Sequence, residues 1–535
     1  MTEALPPMTP AGGSGNEKLD RRILAIGSVV VLGAIMAMLD ITVVNVAINH
    51  LTQEFNTTLE TIQWVATGYT LALATVIPLS GWAADRFGTK RIYLLAVFLF
   101  MVGSAAAGAS WSVGSLIFFR VLQGLGGGML MPIGMTILTK AAGPERVGRV
   151  MSVIGVPMLL GPIVGPILGG WLVDDVSWRG IFFLNVPIGI ITLILGSRIL
   201  DRDEPKPGEK LDVLGLVLLS PGLAALIYGL AKTASPTEGI DSPQAYLPAG
   251  AGAVLVALFV WHALRTKNAL IDLKLFKDRG FTVASVTMVL FVVAFFGAML
   301  LFPLYFQQVR GEGALAAGLL LAPQGIGAMF MMPIAGLVVD RVGAARIAQT
   351  GIVVIVACMV LFTQLGADTS YWLIGADLFV MGLGMGMTMM PIMSAALKTL
   401  KQESVARAST SLNIIQQVAA SIGTALLSVI LYNATTDKLA PLAQQAAAQG
   451  TPAPSMSSIN DLPEPARTTV AGLLSDAFSS TFVWALVLLA VAFLPALLLP
   501  RGKNAAGTTA AVEAGTAPDD LDGLTDAPEP AADRG

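Results

Sequence analysis

Long apolar runs broken by short charged loops fill most of this chain. A bilayer core about 30 Å thick needs about 20 apolar residues per helix. Fourteen runs approach or exceed that length, near 23–49, 61–83, 92–109, 113–138, 147–172, 181–199, 212–231, 246–264, 281–304, 314–338, 347–365, 371–393, 405–432 and 477–499. The ends break the pattern. Residues 1–20 are polar and rich in Pro and Gly, and 501–535 are rich in Ala, Gly, Asp and Glu. Neither stretch can bury a core, and both read as tails, the second disordered. No cleavable signal pattern precedes the first run, so that run is expected to serve as the targeting segment. An even number of spans places both ends on one side.

A repeat is laid over these runs. Residues 78–91 read PLSGWAADRFGTKR and residues 333–346 read PIAGLVVDRVGAAR. Pro78, Gly81, Asp85, Arg86, Gly88 and Arg91 recur 255 positions later as Pro333, Gly336, Asp340, Arg341, Gly343 and Arg346. Each copy sits where an apolar run ends in charge. Related halves in a membrane protein point to a transporter that rocks about a central site. The copies end spans 2 and 10, so spans 1–6 and 9–14 become two six-helix bundles and spans 7 and 8 an insertion. The expected organisation is a tail at 1–20, a first bundle at 21–200, a linker with two inserted helices at 201–280, a second bundle at 281–500, and a tail at 501–535. The stretch 271–281 (IDLKLFKDRGF) suits an interfacial helix. The outer segment 433–476, rich in Ala, Gln, Pro and Ser, is expected to be an irregular loop.

Charge orients the spans. Of 32 Lys and Arg, Arg179, Lys232, Arg310, Lys438 and Arg467 fall on one set of loops, Arg120 falls within a span, and the other 26 lie on the opposite side. The positive-inside rule makes that basic side cytoplasmic, with both termini. Composition then narrows the function. Charged residues are only 13% of the chain, against about 25% in soluble domains. A net charge of −3 gives no electrostatic case for nucleic acid. One cysteine, Cys358, and two histidines, His50 and His262, offer neither a disulfide nor a cysteine or multi-histidine metal site. No nucleotide loop or His-based triad is evident, so an enzyme is not expected, and no cofactor is implied.

The doubled G-x-x-x-D-R-x-G pattern resembles the loop motif of the major facilitator superfamily. Four further stretches resemble its fourteen-span drug:proton antiporter branch of the EmrB/QacA type. They are LDITVVNVA (Leu39–Ala47), RVLQGLG (Arg120–Gly126), GPIVGPILGG (Gly161–Gly170) and WRGIFFLNVPIG (Trp178–Gly189). Two positions depart from the family pattern: Ser152 stands where the antiporter signature opens with glycine, and Ala345 stands where the first loop copy has Lys90. The resemblance implies an all-α polytopic membrane protein with the major facilitator fold, two six-helix bundles and two inserted helices. It also implies residence in a bacterial cell membrane and proton-coupled export of amphipathic or cationic toxic compounds, with small molecules, protons and the lipid bilayer as partners. The alternative is a dedicated exporter of an endogenous metabolite, lipid or siderophore. An envelope adaptor is not identifiable.

Charges inside a membrane cost about 2.5–3.5 kcal/mol on insertion scales, so each invites a functional reading. Asp40 in span 1 and Arg120 in span 4 lie at matching depth. They either carry proton coupling or neutralise one another and lock the bundle. Asp377 in span 12 is a second proton or cation site or an interfacial carboxylate. The loop residues Gly81, Asp85, Arg86, Gly88, Arg91, Gly336, Asp340, Arg341 and Gly343 are expected to control the conformational equilibrium or to anchor loops. Gly161, Pro162, Gly165, Pro166, Gly169 and Gly170 form an antiporter-like stretch whose small face allows close packing. Thr42, Asn45, Gln123, Asn413, Gln416 and Gln417 are candidates for the substrate cavity, with Trp64, Tyr69, Tyr305 and Phe306 as aromatic wall. The methionine-rich run Met381–Met393 is an adaptable apolar surface or simple core.

Overall fold

The computed structural model describes residues 21–142, 164–165, 168–202, 210–233, 242–266, 269–398, 400, 404–448 and 464–500. Its helices are α1 (Arg21–Glu54), α2 (Leu59–Phe87), α3 (Thr89–Gly108), α4 (Val113–Ala142), α5 (Arg179–Phe183), α6 (Asn185–Ile199), α7 (Val213–Thr233), α8 (Pro243–Arg265), α9 (Arg279–Gln308), α10 (Ala314–Leu320), α11 (Ala322–Val342), α12 (Ala344–Phe362), α13 (Tyr371–Lys398), α14 (Val405–Ala448) and α15 (Glu464–Ala496). Among the described residues thirteen helical segments are long and apolar enough to cross a membrane. The expected fifth span, 147–172, falls largely outside the described residues, as do Ser152, Gly161, Pro162 and Pro166.

Side chains set the helix starts. Thr58 precedes α2, and its Oγ1 accepts from the Thr61 N–H at 3.3 Å. Asp278 precedes α9 and accepts from the Phe281 N–H at 2.7 Å. Each bond satisfies one of the orphan donors of a first turn. The loop-motif glycines make the turns: Gly88 has φ 91° and ψ 141°, and Gly343 has φ 94° and ψ 142°. A side chain is strained at both. The 255-residue repeat is thus a repeat of backbone conformation as well as of letters.

Packing repeats too. α4 lies against α1, α2 and α3, and α3 and α1 lie against α6. In the second half α13 lies against α9, α11 and α12, and α12 and α9 lie against α15. Glycines permit both central contacts. A Cβ at Gly124 of α4 would lie 2.5 Å from the Tyr69 carbonyl oxygen of α2, and one at Gly382 of α13 would collide with the Gln324 carbonyl oxygen of α11. Such close helix approach is how apolar bundles gain packing energy without a hydrophobic driving force between helices. Met381, Met385, Met389, Met390 and Met393 are buried beside this contact, so the methionine run is core in this conformation. Tyr305 and Phe306 are likewise buried in the second half.

Lys90 shows how one half differs from the other. Its Nζ donates to the carbonyls of Ser197 and Leu200, at 2.7 and 2.5 Å, at the end of α6. The second loop copy has Ala345 there, which is buried. One turn later, Gln349 Nε2 donates to the Ala496 carbonyl at 2.7 Å, at the end of α15. A neutral donor one turn along thus replaces the lysine on the equivalent helix end.

Three elements differ from the sequence reading. The interfacial stretch 271–281 is a single 3₁₀ turn, Leu273–Lys277, leading into α9. The tenth run is broken between α10 and α11. The outer segment 433–476 is helical on both flanks, because α14 continues to Ala448 and α15 begins at Glu464. Ala, Leu and Gln favour helix, Leu439, Val470 and Leu474 are buried, and Lys438 pairs with Asp476 at 3.7 Å. Together these extend the helices. α7 and α8 pair with one another, and α7 also packs on α2 and α14. Ser220 Oγ donates to the Thr75 carbonyl at 2.6 Å, and Trp64 stacks on Tyr228 with centroids 5.6 Å apart.

Gly382→Ala and Gly124→Ala should each lower stability by about 1–3 kcal/mol through overpacking. Gly250→Ala, where a Cβ meets open space, should be neutral or slightly stabilising. Melting of the purified variants in detergent checks the ordering.

Candidate functional site

Asp40 sits midway along α1 and is 1% exposed. No water reaches a carboxylate there, so its charge must be met by protein. Arg120 Nη1, from α4, donates to Asp40 Oδ2 at 2.5 Å. Gln123 Nε2, one turn further along α4, donates to Oδ1 at 2.7 Å. Asn185 Nδ2, at the start of α6, donates to the same Oδ1 at 3.1 Å. Three donors from two neighbouring helices therefore hold one carboxylate on a third.

The guanidinium is held equally well. Arg120 Nε donates to the Val65 carbonyl of α2 at 3.1 Å, and Nη1 also donates to Gln123 Oε1 at 2.8 Å. Its flat face lies 4.2 Å from the centroid of Tyr69, with Phe182 at 5.8 Å. Asn185 extends the network, donating to Ser104 Oγ of α3 at 3.0 Å, and Ser104 donates to the Phe182 carbonyl at 2.8 Å. Arg120, Gln123, Asn185 and Ser104 are all buried. Two buried polar atoms are left over, Tyr69 Oη and Asn185 Oδ1.

The sequence pairs Asp40 with Arg120 by depth alone, and the structure places them in direct contact. Gln123 was expected on a cavity wall, but in this structure it is enclosed in the network. The sequence reading did not single out Asn185 or Ser104, and took Tyr69 only as wall. A lone amide in the run IFFLNVPIG is the signal that could have flagged Asn185. Thr42, two residues beyond Asp40, is half-buried and bonds back to the Met38 and Leu39 carbonyls at 3.1 and 3.0 Å. Gly165 approaches the Thr42 side chain so closely that a Cβ there would collide with it, and a Cβ at Gly169 would lie 3.2 Å from Val43. The described part of the antiporter-like stretch thus packs on α1 beside Asp40, while a Cβ at Gly170 would meet open space. The side chain of Asn45 lies outside the described set.

Asp377 belongs to a separate place. It is half-buried on α13 beside Cys358 of α12, and its Oδ2 is buried without a hydrogen-bond partner. That oxygen is turned into the protein.

A second polar cluster joins the halves near the basic side. Asp85 Oδ2, at the end of α2, faces Arg407 Nε of α14 at 3.7 Å. Ser80 Oγ lies 3.3 Å from Thr410 Oγ1, and Ser409 Oγ donates to the Pro132 carbonyl of α4 at 3.3 Å. Asn413 Nδ2 reaches Met135 Sδ at 3.7 Å and donates to the Ser409 carbonyl at 2.8 Å. Asn413, expected in a cavity, thus lies on this seam in the present conformation, while Gln416 and Gln417 are half-buried further along α14. Gly81 and Gly336 are buried near the ends of α2 and α11, and Arg91 is exposed. Arg86 is half-buried. The side chains of Asp340 and Arg341 lie outside the described set.

Comparison with known proteins shows the family and the fold. The family model of the Major Facilitator Superfamily matches residues 30–424. A protein named multidrug resistance protein B homolog, from Mycobacterium tuberculosis strain H37Rv, is 42% identical over 530 residues, covering 94% of this chain and 97% of its own. The multidrug export protein EmrB of Escherichia coli K12 is 31% identical over 408 residues, covering 75% and 79%. In fold, the chain is similar to the human organic anion transporter MFSD10, with TM-score 0.57 and 14% identity over 88% of this chain and all of that one. It is also similar to the proton:xylose symporter XylE, with TM-score 0.52 and 12% identity over 90% and 97%.

Removing one partner of a buried ion pair strands the other, at a cost of about 3–5 kcal/mol. Arg120→Ala, which leaves the Asp40 carboxylate without its cation, should therefore lower the melting temperature more than the double variant Asp40→Asn/Arg120→Gln, which removes both charges. A thermal melt of the purified proteins decides the order.

Proposed function

The chain belongs to the major facilitator superfamily, a family of membrane transporters, and on that premise we propose that it exports amphipathic, often cationic, toxic compounds in exchange for protons. The observation that carries the reading is the enclosed Asp40–Arg120–Gln123–Asn185 network. Relatives named for multidrug resistance and multidrug export support the choice of cargo.

In this mechanism Asp40 is the proton carrier. Protonation removes the charge that Arg120 neutralises. The arginine keeps the Val65 carbonyl, Gln123 Oε1 and the face of Tyr69, and the spare atoms Tyr69 Oη and Asn185 Oδ1 allow the network to exchange partners. Arg120 and the Pro132 carbonyl belong to one helix, α4. A shift of α4 against α1 therefore reaches Ser409 on the seam. The proton is bound from the outer side and released to the cytoplasm. The drive is about 2.3 kcal/mol per charge per 100 mV, plus about 1.36 kcal/mol per unit of pH difference.

The seam is the gate in this reading. Asp85–Arg407, Ser80–Thr410 and Ser409–Pro132 close the basic side; the loop-motif glycines Gly81 and Gly88 shape the end of α2 there, and Gly336 and Gly343 the equivalent end of α11. Asp377 is a second site for a proton or cation in the other half.

Two outcomes test the proposal. In inside-out vesicles with an acid interior, lipophilic cations should trigger proton efflux, and Asp40→Asn should abolish it. Full retention of that efflux in Asp40→Asn removes Asp40 from the mechanism, and silence of the wild type toward every compound favours a dedicated metabolite or lipid exporter. A Ser80→Cys/Thr410→Cys pair should form a disulfide under oxidant, because the parent oxygens are 3.3 Å apart. It should stop transport until reductant is added; undiminished transport by the cross-linked protein rules out opening at this seam.

A further inference from the structure

The inserted pair α7 and α8 leaves a gap where it meets the second half. A crevice of about 260 Å³ runs between α7, α8, the 3₁₀ turn Leu273–Lys277, α9 and α14. Leu223, Phe259, Ile271, Val289, Val418 and Ile422 line it. The one hydroxyl on its wall, Ser411 Oγ, is spent on the Arg407 carbonyl at 2.8 Å. The crevice therefore offers an occupant no polar partner, only hydrocarbon contact. It is open along one side, and its rim residues Val260 and Ile422 are exposed. Within membrane-spanning helices such a rim faces lipid.

Its length and its basic end indicate what fits. From Ser411 to Ile422 the wall of α14 runs about 16 Å at helical rise, about half of a 30 Å bilayer core. The crevice thus spans one leaflet, starting from the basic side. At that end Arg265, Lys274, Lys277 and Arg279 are all exposed. The acids beside them are engaged: Asp272 accepts from the Lys274 N–H at 3.0 Å, Asp278 from the Phe281 N–H at 2.7 Å, and Asp212 Oδ1 lies 2.8 Å from His262 Nε2. Arg265 lies over Trp261, 4.1 Å from its centroid, an arginine–tryptophan pair suited to the headgroup layer. A one-leaflet hydrocarbon slot under four exposed cations matches one class of molecule.

We propose that this crevice is a binding site for an anionic phospholipid of the leaflet on the basic side, with an acyl chain in the slot and the headgroup on Lys274 and Lys277. The lipid completes the packing between the inserted pair and α14. Because α7 is also bonded to α2 through Ser220 and Thr75, the bound chain becomes part of the material that ties the inserted pair to both halves.

The test uses the full-length protein, purified and delipidated in detergent. Phosphatidylglycerol, phosphatidylcholine with the same chains, and inorganic phosphate are added separately, and retained lipid is read by native mass spectrometry. Wild type should retain one phosphatidylglycerol in preference to phosphatidylcholine. Val418→Trp, which fills the slot, should lose it. Lys274→Gln/Lys277→Gln changes only exposed side chains, so it folds irrespective of the slot, and it should weaken phosphatidylglycerol retention by about fivefold per lysine while leaving phosphatidylcholine unchanged. Equal retention of the two lipids by wild type overturns the proposal. So does full phosphatidylglycerol preference in the double lysine variant, or retention of inorganic phosphate equal to that of phosphatidylglycerol.

Discussion

A charge in a low-dielectric interior cannot be left alone, and the first half of this molecule is arranged around that constraint. Asp40 and Arg120 are both withdrawn from water, so each must be answered by protein dipoles and by the other. The answer recruits α1, α2, α4 and α6 directly, and α3 through Ser104. A network of this kind rigidifies the bundle while it is satisfied and destabilises it when one member changes.

The bonds between halves are of a different kind. Inside the first half, the charge pair is 2.5 Å apart and sealed. Across the seam the charge pair is 3.7 Å apart and its arginine is partly exposed, and other contacts described there join hydroxyls, a carbonyl and a thioether. Such contacts are individually worth about a kilocalorie or less. Water can replace bonds of this kind, whereas it does not reach those sealed within the bundle. The same distinction appears in the glycine contacts. Gly124 and Gly382 place backbone against backbone within a half, where rigidity is wanted.

The helical membrane architecture was legible in the sequence because it is written in run length and in the asymmetry of Lys and Arg. The doubled loop motif was legible too, and the matching φ at Gly88 and Gly343 shows why: only glycine tolerates that conformation, so the letter had to repeat with the turn. The pairing of Asp40 with Arg120 followed from depth. Its partners did not, because Asn185 and Ser104 lie on other helices, and no local pattern says which way a polar side chain in an apolar run will face. Gln123 and Asn413 were read by polarity as cavity residues, yet polarity is equally what a buried network or a seam requires. The helical flanks of 433–476 were hidden by Pro and Ser scattered among good helix formers, with the decisive contacts, such as Lys438 with Asp476, made only in three dimensions.

One dimension of α14 has a mechanical meaning. The helix begins at the seam, and its apolar stretch from Arg407 to Leu442 is longer than a bilayer core about 30 Å thick requires. From Arg407 to Pro441 it is a rod about 50 Å long at 1.5 Å per residue. Each degree of tilt about the Arg407 end displaces the far end by about 0.9 Å. The helix is thus a pointer: any change of angle at its basic end would be enlarged at its far end.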